Sequence, residues 1–431
     1  MRRRTLEEWL QWQMDLHDKA IDLGLERVSV VAGRLGIGRI SSQVITVAGT
    51  NGKGSSVAAY ENWLRHAGFS VASYTSPHLL RYNERIRQDL TPVRDDQLCA
   101  AFAAVEEARE DTALTYFEFG TLAALHLMQA WQPDFAVLEV GLGGRLDAVN
   151  IIDADLVHLT PIGIDHENWL GENREQIGME KAGVLRPAIP VVVNDPQPPQ
   201  SVLDEIERLQ CVSLRIGRDY RIREAGERLL WQAGDLELEL EPVLPGVHQA
   251  ANLAGVVAGL SCLLPLSDYD ARAVRENFRG TRLAGRFQRL ADVLPATVYI
   301  DVGHNQDAAR SLASCLTRIA PVQGRTVVLL GMLEDKRADL FVEALDAVVD
   351  VWWLLSLDTD RGLSAAQLRE RVEPQIRVEH CFDDMGAALD HALLSLGNRD
   401  IMLVTGSFVT VEKLLRALPE SDEPNNYGSK H

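Results

Sequence analysis

Short apolar runs separated by helical periods set the outline of the chain. Runs at 44–48, 71–74, 135–140, 156–160 and 191–194 are rich in Val, Ile, Leu and Ala and bounded by turn residues, so each predicts a buried strand. Helical patterns such as 55–66 alternate with them, which implies a mostly parallel sheet with helices on both faces. Between 211 and 241 the period shortens to two. CVSLRIGRDYRIRE and RLLWQAGDLELELE alternate apolar and polar positions and predict an antiparallel meander with turns at the glycines, a small appendage to the first domain. After the Pro245-Gly246 turn, HQAANLAGVVAGLSCL predicts a helix of small residues and GTRLAGRFQRL a basic, glycine-broken connector. From Thr297 strands and helices alternate again: TVYID, helix 306–319, TVVLLG, helix 337–348, VDVWWLLSL, helix 364–371, RVEHCF, helix 383–396, IMLVTG and a last helix from 407. This spacing reads as a smaller Rossmann-like, doubly wound domain. The expected α/β architecture is therefore an N-terminal phosphate-loop domain over 1–290, a C-terminal domain over 296–418, and a polar, disordered tail over 419–431.

Composition narrows the class. A length of 431 residues suggests two or three units at roughly 150 residues per domain. A hydrophobic share of 46% and a charged share of 24% are those of an ordinary globular protein. No apolar run reaches the roughly 18 residues a spanning helix needs. The segment MRRRTLEEWLQWQMDLH has no continuous apolar stretch and reads as a folded amphipathic helix in a cytoplasmic protein. The five cysteines lie far apart with no CxxC pair, so neither a zinc site nor a disulfide framework is signalled. A net charge of -19 repels polyanions and argues against nucleic acid or an anionic membrane as partner. No self-complementary surface is legible, so a monomer is expected.

The chemistry starts at VITVAGTNGKGSSVAAY, a strand, a glycine-crowded loop and a helix. Backbone N–H groups of Thr50, Asn51, Gly52, Lys53, Gly54 and Ser55 are placed to cradle phosphate, Lys53 adds a cation, and the Ser55 hydroxyl can meet Mg2+. The spacing is not the common GxxxxGK[ST]. Fewer residues, Thr50 and Asn51 alone, separate the first glycine from Gly52-Lys53 and a further glycine follows, which points away from GTPases and simple kinases.

Compact loops of this kind resemble those of the Mur ligase superfamily. Other segments make the chain similar to one branch of it, the dihydrofolate synthase/folylpolyglutamate synthase family: IDLGLERV, SYTSPHLLRYNERIR, LTYFEFGT, LEVGLGGRLDAVN, IGIDHENWLG, MEKAG, LAGRFQ, IDVGHN, GMLEDK and TGSF, in that family's order and over nearly the whole chain. The resemblance implies an ATP-dependent acid–amino-acid ligase. It would join L-glutamate to 7,8-dihydropteroate, and to tetrahydrofolates as polyglutamates, through an acyl phosphate. A carboxylate is a poor electrophile, and phosphorylation supplies the leaving group it lacks. The demand on the protein is then for cations, metal ligands and positioners rather than for a nucleophile.

By the same resemblance, Ser76, Glu139 and His166, with Ser55 as a further candidate, surround one Mg2+. Lys181 of MEKAG, as a carbamate, ligates a second Mg2+. A helical lysine is ordinarily a solvated surface charge, and carbamate formation requires a neutral amine, hence a lowered pKa. Lys53, Lys181, His166 and His304 are the implied catalytic residues. Asn252 and Asp301 are implied near the base and ribose of ATP and Arg286 on its phosphates, with ATP between the domains and closure completing the site. The family more often shows DVAHNP where this chain has Gly303 and Gln306, and Thr where it has Val149.

For the acid, Tyr116 and Phe117 offer aromatic faces to a flat pterin and Thr115 and Glu118 polar contacts to its ring nitrogens, although the same stretch reads equally as the start of a buried helix. Leu146, Asp147 and Ala148 resemble the rest of a dihydropteroate pocket, which favours the bifunctional enzyme over a folylpolyglutamate synthase alone. Arg81 and Arg85 are both open as holders of a glutamate or pteroate carboxylate. The rivals are another Mur-type ligase acting on a cell-wall precursor, a phosphate-loop kinase or GTPase, and a non-catalytic nucleotide-binding module.

Overall fold

The computed structural model describes residues 4–19, 21–266, 270–291, 293–319, 323–373 and 375–418, so the expected tail over 419–431 lies outside the described residues. The chain divides into two compact units, one of residues up to Pro242 with Ala250–Thr281, the other of Val243–Gln249 with the residues from Arg282 on.

The first unit is built on an eight-stranded sheet. Its strands are β1 (Gln43–Ala48), β2 (Val71–Tyr74), β3 (Ile86–Gln88), β4 (Thr91–Pro92), β5 (Phe135–Glu139), β6 (Leu156–Leu159), β7 (Pro190–Val193) and β8 (Val212–Arg215), in the order β4-β3-β2-β5-β1-β6-β7-β8. From β2 to β8 every neighbouring pair is parallel, while β3 and β4 are antiparallel additions at one edge. The central strands are apolar on both faces because helices cover both. Val44, Ile45, Val47, Ala136, Val137, Leu138, Leu156 and Val157 are all buried. β1 lies between β5 and β6, so the chain leaves it in one direction and later returns on its other side, the arrangement that opens a crevice at the carboxyl ends of parallel strands. Register brings Val47 opposite Glu139 and Ala48 opposite Leu159, so the loops after β1, β5 and β6 leave one edge together.

The stretch read as a single meander divides. Val212–Arg215 is β8, parallel to β7 after the helix Gln200–Arg208, and only β9 (Arg221–Ala225), β10 (Arg228–Ala233) and β11 (Leu236–Leu240) form the antiparallel appendage. A strand at a sheet edge with one solvated side alternates just as a hairpin strand does, so period two did not separate them. The turns fall at Gly226 and Gly234, both at positive φ.

The second unit carries β12 (Gln288–Leu290), β13 (Thr297–Ile300), β14 (Thr326–Leu330), β15 (Val351–Leu355), β16 (Val378–Phe382) and β17 (Ile401–Thr405), ordered β12-β13-β17-β14-β15-β16. All pairs are parallel except β12 with β13. Helices Gln306–Ile319, Ala338–Leu345, Ala365–Val372, Met385–Ser395 and Phe408–Ala417 fall where the second alternation placed them. The basic connector differs from expectation: from Arg282 on the chain belongs to the second unit, and β12, assigned to the first domain by a boundary at 290, pairs with β13. Among the described residues no helix is long and apolar enough to cross a membrane, and all five cysteines are unpaired.

Candidate functional site

The loop after β1 is shaped by glycines that side chains could not replace. Gly52 has φ +90 and a Cβ there would lie 2.4 Å from Asn252 Oδ1; a Cβ on Gly49 would lie 1.9 Å from Thr160 Oγ1. The loop leans on the segment after β6. Thr50 N–H donates to the Pro161 carbonyl at 2.9 Å, and Thr50 Oγ1 bonds both the carbonyl and the N–H of Gly163. Lys53 Nζ donates to the carbonyls of Gly49 and Thr50, each at 3.2 Å, and the helix Lys53–His66 starts there with Ser55 buried in its first turn. Gly52→Ala forces a left-handed backbone and a clash with Asn252, so it should weaken binding of a nucleoside triphosphate analogue by about tenfold or more, measured by calorimetry.

A second lysine meets the same loop. Lys181 is 4% exposed near the end of the helix Arg174–Ala182, and its Nζ donates to the Gly49 carbonyl at 2.8 Å. Burial, and then the positive charge of Lys53, pull its pKa down to about 7, against the opposing charges of Asp165 and Asp147. At pH 7 about half of the amine is thus uncharged, the state that adds to CO2.

Glu139 ends β5 almost fully buried, and the Ser76 N–H donates to its Oε2 at 3.2 Å, so two of the expected cation ligands adjoin. His166 lies beyond Gly163 on the segment that holds Thr50, in a left-handed conformation at the start of a one-turn helix, with its N–H bonded to Asp165 Oδ1. Among the described residues no three His, Cys, Asp or Glu side chains group around a metal position. The expected first set holds only two of these types, and a serine, a carboxylate and an imidazole beside phosphate oxygens suit a hard cation that keeps several waters.

The segment after Leu114 divides by role. Thr115 and Glu118 form a capping box on the helix Tyr116–Trp131, and Glu118 also pairs with Arg27 at 3.0 Å. Both side chains serve the helix start, because buried N–H groups there need acceptors. Tyr116 and Phe117 are half-buried, with ring centroids 5.7 Å from Tyr82 and 6.0 Å from Tyr74, and a Cβ on Gly141 would lie 2.5 Å from Phe117 Cζ. The aromatic faces thus border the loop after β5. In that loop Leu146 is half-buried and Ala148 buried, while Asp147 accepts from the N–H groups of Leu142 and Val149 at 2.8 and 2.9 Å. Burial pushes its carboxyl up to about 6 despite those bonds. Asp147 therefore shapes the loop that carries Leu146 and Ala148.

Of the two open arginines, Arg81 is exposed and pairs with Asp95 at 3.1 Å. Arg85 is buried, lies over the rings of Tyr82 and Tyr116 at 5.0 and 5.6 Å, and donates to His78 Nδ1 at 2.9 Å. Of the two, Arg85 is the cation laid over these rings. His78, at the end of TSPH, was not singled out, although its place beside Ser76 was a signal.

In the second unit, Asp301 is buried and accepts from the N–H groups of Phe287 at 2.8 Å and Gly303 at 2.7 Å, and His304 Nδ1 bonds the Val302 carbonyl at 3.0 Å. Arg286 lies 5.6 Å over the Phe408 ring. The first unit carries the loop and Asn252; the second carries Arg286, Asp301 and His304.

A phosphate loop on one α/β unit and a doubly wound second unit define a Mur-type ligase, and residues 285–408 match the family described as Mur ligase, glutamate ligase domain. The chain is 39% identical over 418 residues to the dihydrofolate synthase/folylpolyglutamate synthase of Escherichia coli, covering 96% of this chain and 95% of that protein. It is 40% identical over 424 residues to the Haemophilus influenzae protein of the same name, covering 94% and 96%. The chain belongs to the dihydrofolate synthase/folylpolyglutamate synthase family. Among solved structures, E. coli FolC in complex with DHPP and ADP is similar with a TM-score of 0.88 at 38% identity, covering 96% of this chain and 97% of that one. A bifunctional folylpolyglutamate synthase/dihydrofolate synthase with Mn, AMPPNP and L-glutamate bound is similar with a TM-score of 0.87 at 40% identity, covering 96% and 98%.

Proposed function

We propose that the chain joins L-glutamate to 7,8-dihydropteroate, giving dihydrofolate, and to tetrahydrofolates, giving polyglutamates, with ATP converted to ADP and phosphate. The observation that carries this reading is the convergence of Lys53 and Lys181 on the one carbonyl of Gly49, at 3.2 and 2.8 Å. A phosphate loop beside a buried, neutral-prone lysine suits transfer of phosphate to a carboxylate, with an anionic carbamate oxygen close by.

An oxygen of the pteroate or folate carboxylate bonds to the γ-phosphorus as the bond to ADP breaks. The amine of glutamate then bonds to the acyl carbon, loses a proton, and phosphate leaves. The loop N–H groups from Thr50 to Ser55 and the Lys53 ammonium hold phosphate oxygens and meet the charge that develops on them. Ser76, Glu139 and His166, with Ser55, would hold one Mg2+, and the Lys181 carbamate a second; such ions supply charge neutralisation on the transferring phosphoryl group. Tyr116, Phe117, Leu146 and Ala148 give the acid an apolar slot, with Arg85 as its cation. Asn252, Arg286, Asp301 and His304 are assigned to the nucleotide, His304 with its ring oriented through Nδ1. The enzyme is proposed to act as a cytoplasmic monomer.

Sustained ADP release is expected only when L-glutamate is present together with dihydropteroate or a tetrahydrofolate. ADP release indifferent to glutamate, or a UDP-muramyl acid replacing dihydropteroate, would overturn the assignment.

A further inference from the structure

The antiparallel appendage has no part in the chemistry above, yet Trp231 of its middle strand and Tyr220 at its entry are linked to the nucleotide helix, Trp231 directly and Tyr220 through Asn194. The helix Val247–Leu263 carries Asn252, whose Oδ1 would be 2.4 Å from a Cβ on Gly52. Asn194, at the end of β7 and fully buried, donates from Nδ2 to the Ala251 carbonyl at 2.9 Å, one residue before Asn252. Its Oδ1 in turn accepts from the Tyr220 hydroxyl at 2.7 Å, where the chain enters the appendage. Trp231 of β10, stacked on Tyr220 at 6.3 Å, donates from Nε1 to the Ala254 carbonyl at 3.1 Å. Gly255 allows this approach, since a Cβ there would lie 2.7 Å from Asn194 Cγ.

An amide held at both ends cannot rotate, and a carbonyl in the first turns of a helix fixes the height and rotation of that helix. We infer that Asn194, held by Tyr220, is a positioning residue that sets Asn252 against the phosphate loop, so that the entry to the appendage tunes nucleotide affinity without touching the nucleotide. This rests on the assignment of Asn252 to ATP. It gives the entry to the appendage a role the reaction itself does not require, and it ties three distant segments of sequence to one glycine.

The test compares Asn194→Ala, Tyr220→Phe, Asn252→Ala and the double variant N194A/N252A. AMPPNP binding with Mg2+ is measured by calorimetry, with KM for ATP and for dihydropteroate beside it. Tyr220→Phe keeps the ring and deletes only the hydroxyl, so it reads the contact even where the cavity left by Asn194→Ala harms the fold. Asn194→Ala should weaken AMPPNP binding by about tenfold and Tyr220→Phe by about threefold, with KM for dihydropteroate within twofold of the parent. The double variant should bind no more weakly than Asn252→Ala alone, because Asn194 acts through Asn252. Parent-like AMPPNP binding by Asn194→Ala and Tyr220→Phe, or additive losses in the double variant, would overturn the inference. Parent-like binding by Asn252→Ala would instead remove the nucleotide assignment on which it rests.

Discussion

Lys53→Ala should abolish measurable ligase turnover, lowering kcat by on the order of 10³-fold, while the protein still folds. The side chain is half-buried, and its hydrogen bonds go to the carbonyls of Gly49 and Thr50 in its own loop, so little packing is lost with it. What goes is the cation at the β and γ phosphates, where a low-dielectric site makes one charge count for several kcal/mol. A second effect runs through Lys181. The Lys53 charge is one of the causes that lower the Lys181 pKa, so the variant holds a more protonated Lys181 and a poorer route to the carbamate. Coupled ADP release and a thermal melt on the same sample check the prediction. Turnover within tenfold of the parent would remove Lys53 from the chemistry.

Lys181→Met should cost about 10²-fold in kcat with the ATP KM little changed, since an anionic oxygen ligand is lost from the step rather than from nucleotide binding. The same residue leaves a mark on stability. Its pKa is about 7 in the folded chain against 10.5 for the free side chain, so between those values the unfolded state binds more protons than the folded one. Stability then rises with pH across that window, and the burial penalty is fully present below pH about 7. In CO2-free buffer, Lys181→Met should lose that rise between pH 7.5 and 9.5 in urea unfolding. An unchanged slope would place the pH dependence elsewhere.

Much of this was legible in the chain. The run 44–48 and the glycines after it required a strand, a phosphate cradle and a helix, and the second alternation placed five helices of the second unit. Local pattern served there because short-range periodicity decides buried strands and helices. It failed where two arrangements share one pattern, since 212–215 alternates as a hairpin strand would, and it left unread the capping box that the T-x-x-E spacing of Thr115 and Glu118 carries. It failed again where a choice depends on tertiary neighbours. Nothing local separates Arg81, turned to Asp95, from Arg85, laid over Tyr82 and Tyr116. The bond from Asn194 to Ala251 spans the whole appendage and has no trace in either segment's composition.

The central claim is that the γ-phosphate of ATP passes to the carboxylate of the acid before glutamate attacks. Dihydropteroate labelled with 18O in both carboxylate oxygens tests it directly, by mass spectrometry of the phosphate released with dihydrofolate. The mechanism predicts one 18O in each inorganic phosphate formed and one retained in the new amide carbonyl. Phosphate without 18O, released together with dihydrofolate, would contradict it.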